Sequence, residues 1–123
     1  MPIAGVLIAE SLRIGVVLEG VPLTVGKISR ADVGDVDAGQ PLTWTFIEFR
    51  AADEHAERLA DALKDALDAN CGWYCDFHTD DTTFVVFFGK IFRYPRGDRT
   101  GRAKAAAHAR SVGVPEPQLD WPE

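Results

Sequence analysis

Residues 71–95 read CGWYCDFHTDDTTFVVFFGKIFRYP, and the way their side chains sort between two faces decides the fold. β-Branched and aromatic residues flank the turn cluster Thr79-Asp80-Asp81-Thr82, the pattern of a long β-hairpin. A loop of Asp80-Asp81, or of 79–82, gives one register: Phe77 opposite Phe84, Cys75 opposite Val86 and Trp73 opposite Phe88. Partners across a strand pair share a face, and successive residues alternate. One face then carries Trp73, Cys75, Phe77, Phe84, Val86 and Phe88 and is expected to be buried. The other carries Tyr74, Asp76, His78, Thr83, Val85 and Phe87, with Ile91 and Arg93 further on. Gly89 is the weak point, because a bulge there would reverse the facing of every later residue.

Upstream, TWTFIEFR (43–50) reads as a strand with large apolar groups on both faces, which suits a central position. A shorter strand is expected from Pro22, with Val21, Leu23 and Val25 alternating after a turn at Glu19-Gly20. Residues 3–9 are apolar but ambiguous between strand and helix. Residues 31–42 read as a loop; their three aspartates lack the full calcium-loop pattern and are expected to be solvated. A helix is expected over 51–70, capped by Asp53, with Ala56, Leu59, Ala60, Leu63, Ala66 and Leu67 as its apolar stripe. A second helix is expected over 99–111, with Ala103, Ala106, Ala107 and Val112 facing inward. The tail, VPEPQLDWPE (114–123), has three prolines, and Leu119 and Trp121 are expected to press back on the body or on a partner.

Together these elements predict a single α+β domain over 1–123, ending in a Pro-rich tail. Its antiparallel sheet has four or five strands in the order ββαββα, with both helices on one face and the other face open. The arrangement is loosely ferredoxin-like, with residues 1–13 available to fill an edge.

The net charge of -6 argues against nucleic-acid binding, which rests on neutralising phosphates. No apolar run is long enough to span a bilayer, and the N-terminus lacks the basic residues of a secretory signal. Two cysteines at positions 71 and 75 make no disulfide framework, so a reducing cytoplasm is expected.

Three groups of residues could carry chemistry. Cys71, Cys75 and His78 have the spacing of part of a zinc site, but a tetrahedral site needs four ligands and no second Cys/His cluster exists; neither metal nor cofactor is expected. Tyr74, Asp76 and His78 alternate along one strand near Arg93, and Asp76 could orient His78 as a general base. Arg96, Arg99 and Arg102 crowd the start of the second helix, where cations are disfavoured unless an anion or neighbouring acids offset them. Glu54, Glu57, Asp61, Asp65 and Asp68 on the first helix are the competing partners, and pairing with them is the favoured reading.

The leading functional expectation is a non-enzymatic domain that self-associates, as a homodimer, or binds a partner through the open face around Tyr74, Val85, Phe87 and Ile91. The alternative is a small enzyme or ligand-binding protein with a pocket around Tyr74, Asp76, His78 and Arg93. A third is anion or phosphate binding at Arg96, Arg99 and Arg102.

Overall fold

The computed structural model describes residues 3–33 and 40–121. Their elements follow in the order β1 (Ile3–Ile8), β2 (Thr24–Asp32), β3 (Thr43–Ala51), α1 (Ala56–Ala66), β4 (Cys75–His78), β5 (Thr82–Phe87), β6 (Lys90–Pro95) and α2 (Arg99–Ser111). The class is α+β with antiparallel pairing throughout. In place of one sheet of four or five strands there are two of three, ordered β1-β3-β2 and β4-β5-β6. The expected ββαββα order, and with it the ferredoxin-like likeness, gives way to βββαβββα. Of the two added strands, β1 is the ambiguous N-terminal segment and lies at a sheet edge beside β3. The other, β6, exists because Gly89 adopts a left-handed φ of 75° and turns the chain back after β5.

The hairpin register is the expected one. Cys75 pairs with Val86 and Phe77 with Phe84, whose rings stack 5.0 Å apart. Beyond β5 the turn at Gly89 changes the facing. Phe88, expected opposite Trp73 in the core, falls in the turn and is 48% exposed. Ile91 and Arg93 pair with Val86 and Phe84 and so join the opposite face from Tyr74 and Asp76.

The two helices lie on opposite sides of the β4–β6 sheet, not on one. Ala56, Leu59, Ala60 and Leu63 of α1 pack with Ile3, Leu7, Phe49, Cys75, Phe77, Phe84 and Val86. Ala105, Ala106 and Ala109 of α2 pack with Val85, Phe87 and Tyr94, joined by Val114 and Trp121 of the C-terminal segment. The face expected to stay open is therefore covered over the β4–β6 sheet. The two sheets meet where β1 runs beside β4, with Cys75 Sγ 3.6 Å from the Val6 carbonyl oxygen.

Both helices differ from expectation in ways that packing explains. The first α-helix is shorter than 51–70: Ala51 ends β3, Asp53–His55 form a 3₁₀ turn, and the residue at the N-cap, His55, makes no side-chain cap. At its other end Leu67 is extended and bridges to Leu12, while the Asp68 N–H donates to the Ser11 carbonyl at 2.7 Å. That pairing stops the helix before Asn70. In α2, Ala103 and Ala107 face solvent and Ala105, Ala106 and Ala109 are buried. An alanine-rich helix shows little contrast between faces, so its rotation is set by contacts at Gly101 and Arg102. Upstream, β2 starts at Thr24, not Pro22, and runs to Asp32 into the expected loop, while Leu18, Val21 and Leu23 pack on the core as irregular chain. Asp35 and Asp37, two of the three loop aspartates, lie outside the described residues.

Candidate functional site

A cleft of about 550 Å³ opens where the outer face of β1 and β3 meets β4 and the C-terminal segment. Its volume is in the range of small-molecule sites, about 300–1,000 Å³. Alternation along β1 and β3 directs Val6, Ile8, Trp44 and Phe46 away from α1, and these form one wall. Trp73, Tyr74 and Asp76 form the floor, while Pro117, Gln118 and Asp120 form the wall opposite.

Four aromatic side chains, Trp44, Phe46, Trp73 and Tyr74, are part of the lining. The Trp44 and Trp73 rings meet edge to face, with centroids 5.1 Å apart, and Phe46 lies 6.2 Å from Trp44. The indole N–H of Trp44 donates to the Pro41 carbonyl at 2.8 Å, which fixes that ring. The turn that delivers Trp73 uses two consecutive left-handed residues, Cys71 (φ 68°) and Gly72 (φ 67°). A side chain at Gly72 would lie 2.6 Å from the Gly113 carbonyl oxygen, so only glycine lets the turn pack on the C-terminal segment.

That segment is held at several points. Trp121 is buried and donates its indole N–H to the Tyr94 hydroxyl at 2.9 Å. Arg102 of α2 donates to the carbonyls of Leu119 at 3.1 Å and Trp121 at 3.0 Å, and its guanidinium lies 5.0 Å over the Trp121 ring. The Tyr74 hydroxyl donates to the Gln118 carbonyl. Gln40, which is buried, and Gln118 exchange amide hydrogen bonds of 3.3 and 2.9 Å.

Two carboxylates give the cleft its charge. Burial, and after it the negative charge of Asp120, pushes the Asp76 carboxyl up from the usual 3.8 to about 6. Among the described residues no other side chain donates a hydrogen bond to Asp76. Tyr74 is held far above the ordinary tyrosine range, first by burial and then by Asp76 and Asp120. It is a fixed hydrogen-bond donor, not a titrating group.

The structure brings together only part of the predicted site. Tyr74 and Asp76 line the cleft; His78 and Arg93 do not. His78 Nδ1 is 3.0 Å from the Thr79 carbonyl oxygen. Arg93 is on the α1 side, where Nε and Nη2 reach the Glu57 carboxylate at 2.8 and 2.6 Å. The acidic first helix, expected to pair with Arg96, Arg99 and Arg102, makes this ion pair with Arg93. Arg93 is thus on the other side of the sheet from Asp76, while His78 lies outside the cleft but near enough to lower the Asp76 carboxyl. Phe87, offered as an interface residue, is buried beneath α2 with Tyr74 and His108 against its ring.

Two of the three arginines of the proposed anion site, Arg96 and Arg102, have separate contacts. Arg102 binds the C-terminal segment, and Arg96 Nη1 lies 3.5 Å from the Asp80 carbonyl oxygen. The N-terminus of α2 is capped by Asp98, which accepts from the Thr100 N–H at 3.1 Å. Gly101 does permit a close approach, but by Tyr94: a methyl group at Gly101 would lie 2.4 Å from Tyr94 Cβ. Cys75 of the partial zinc spacing is buried, its thiol pushed well above its usual range by burial and then by Asp76.

Trp44, Phe46, Val6, Ile8, Gln118 and Asp120 went unassigned in the sequence. For Trp44 and Phe46 the sequence signal was the large apolar groups on both faces of TWTFIEFR; Val6, Ile8, Gln118 and Asp120 had none. Among the described residues no helix is long and apolar enough to cross a membrane. No family model, curated protein or solved structure matches the chain.

Proposed function

We propose that this is a ligand-binding domain that takes a small organic molecule in the cleft between the β1–β3 wall and the C-terminal segment. The observation that carries the reading is the lining itself: Trp44, Phe46, Trp73 and Tyr74 around a few converging polar groups, the composition expected of a small-molecule site. Cys75, the thiol on the lining, is buried with its Sγ toward the Val6 carbonyl and its pKa pushed well up by burial and by Asp76, so it is no ready nucleophile, which favours binding over covalent chemistry. A simple apolar probe tests this. 2-Phenylethanol, followed by NMR titration, is expected to bind saturably, and Phe46→Ala to weaken it by about three- to tenfold, the worth of one aromatic contact. Linear, non-saturating shifts in the millimolar range would contradict the reading.

A second reading, homodimerisation, moves from Phe87 to the β2 edge. Every residue of β2 but Ser29 is exposed, β2 pairs only with β3 among the described strands, and Ile28 in its middle is 63% exposed. Two copies meeting antiparallel about Ile28 would set Ile28 against Ile28 and Lys27 against Ser29, with no like charges opposed. Light scattering should then show a dimer that Ile28→Lys abolishes. A strict monomer at all concentrations excludes it.

A further inference from the structure

The cleft has a charge asymmetry that its aromatic lining does not explain. Asp76, at the end of the floor, and Asp120, on the C-terminal wall, both line it, and no Lys, Arg or His does among the described residues. Of the cationic groups close by, His78 lies two residues along β4, outside the lining, and lowers the Asp76 carboxyl by less than Asp120 raises it. Arg102 is committed to the carbonyls of Leu119 and Trp121 and to the Trp121 ring. Tyr74 reaches Asp120 by a hydrogen bond of a long 3.4 Å, and its hydroxyl is already given to the Gln118 carbonyl. Two carboxylates set toward one half-buried space repel each other, and the lining supplies no counter-charge between them. An arrangement of this kind is relieved by a cation that arrives from outside.

The remaining lining suits the same kind of guest. An ammonium group is attracted to the faces of aromatic rings as well as to carboxylates, and Trp is the strongest such partner. Trp44, Trp73 and Phe46 line the same cleft as Asp76.

We propose that the cleft selects an organic cation, an amine with an apolar or aromatic body, whose ammonium sits between Asp76 and Asp120 while its body lies against Trp44, Phe46 and Trp73. This rests on the reading of the cleft as a ligand site. Binding is proton-linked in a stated direction. Groups facing Asp76 are Tyr74 and His78 on β4, Tyr94 on β6 and Asp120 on the C-terminal segment, while its partner on β5, Val85, is apolar. Because the Asp76 carboxyl takes up its proton at about pH 6, an amine loses its counter-charge and binds more weakly as the pH falls through that value.

Three probes of nearly one shape test this on the intact chain: phenethylamine, 2-phenylethanol and 3-phenylpropanoate, each titrated by NMR at pH 7.5 and pH 5. At pH 7.5 the expected order is amine tightest, at least tenfold over the alcohol, with the carboxylate weakest. At pH 5 the amine advantage shrinks several-fold. Asp120→Asn, at an exposed position, and Asp76→Asn are each expected to cut the ratio of amine to alcohol affinity about tenfold. Equal binding of amine and alcohol, or tighter binding of the carboxylate, overturns the cation preference and leaves the ligand-site reading standing. Saturable binding by none of the three overturns both. An amine preference that survives the double variant places the cation elsewhere and overturns the assignment to Asp76 and Asp120.

Discussion

Asp76 sits where its charge is most costly. Its carboxyl is half-buried beside Asp120, and its folded-state pKa of about 6 lies above the usual 3.8. Proton binding sets the sign of the consequence. Between these two values the folded state holds the proton more tightly than the unfolded state does, so stability falls as the pH rises from about 4 to 6 and stays lower above it. A shift of about two units corresponds to no more than about 3 kcal/mol, and less where the cleft admits water. Asp76→Asn removes the charge and keeps the shape. Thermal unfolding should show the variant about 1–3 kcal/mol more stable than the parent at pH 7.5 and nearly equal to it at pH 4. A variant destabilised at pH 7.5 would mean that the carboxylate is stabilised by its surroundings. A residue that lowers stability at neutral pH yet faces a cleft is what a binding role accounts for.

At the level of elements, α2 shows how one missing side chain positions a helix. Gly101 lies against Tyr94, and a methyl group there would fall 2.4 Å from Tyr94 Cβ and 2.6 Å from its Cγ. Alanine is the better helix former by about 1 kcal/mol, so propensity alone predicts that Gly101→Ala stabilises. Overpacking opposes it with about 1–3 kcal/mol and more where backbone must move. The second effect should win, with a net loss of about 1–2 kcal/mol in chemical denaturation; a gain would show that α2 can lift from the sheet without cost.

The same helix marks what can and cannot be read from a sequence. Strand alternation told the faces of the hairpin apart because Phe77, Phe84 and Val86 differ sharply from Asp76 and His78. Register came with it, and the pairs Phe77–Phe84 and Cys75–Val86 are the expected ones. Alternation lost its meaning at Gly89, since a reversal of chain direction leaves no mark on the hydropathy of the next strand. That single turn moved Ile91 and Arg93 across the sheet. In α2 the signal was weak from the start: Ala103, Ala105, Ala106, Ala107 and Ala109 are alike, and what orients them is Tyr94 and Trp121, outside the helix itself.

For the whole molecule, the C-terminal segment decides what the sheet offers to solvent. Helices on one side only would leave a broad apolar face that asks for a partner. Instead α2 and residues 114–121 cover the β4–β6 half of that face, and a cleft is left where the covering stops against β1 and β3. The inward role expected for Trp121 holds, and its burial against Tyr74 and Tyr94 builds the wall that carries Gln118 and Asp120. What sequence reasoning could not supply was the meeting of residues 6–8, 44–46, 73–76 and 117–120, four segments brought together only by the packing of two sheets and a tail. Tyr74 and Asp76 were within reach because both sit on the one hairpin whose faces sort cleanly.

The central claim is that this cleft, and not the hairpin face beneath α2, is where the molecule binds. Residue-by-residue mapping of the 2-phenylethanol titration by ¹⁵N–¹H NMR tests it most directly. Saturating shifts confined to Val6, Ile8, Trp44, Phe46, Trp73, Tyr74, Asp76, Gln118 and Asp120, including the indole N–H signals of Trp44 and Trp73, are the predicted result. Shifts centred on Phe87, Phe92 and His108, or spread evenly over the chain without saturation, would contradict it.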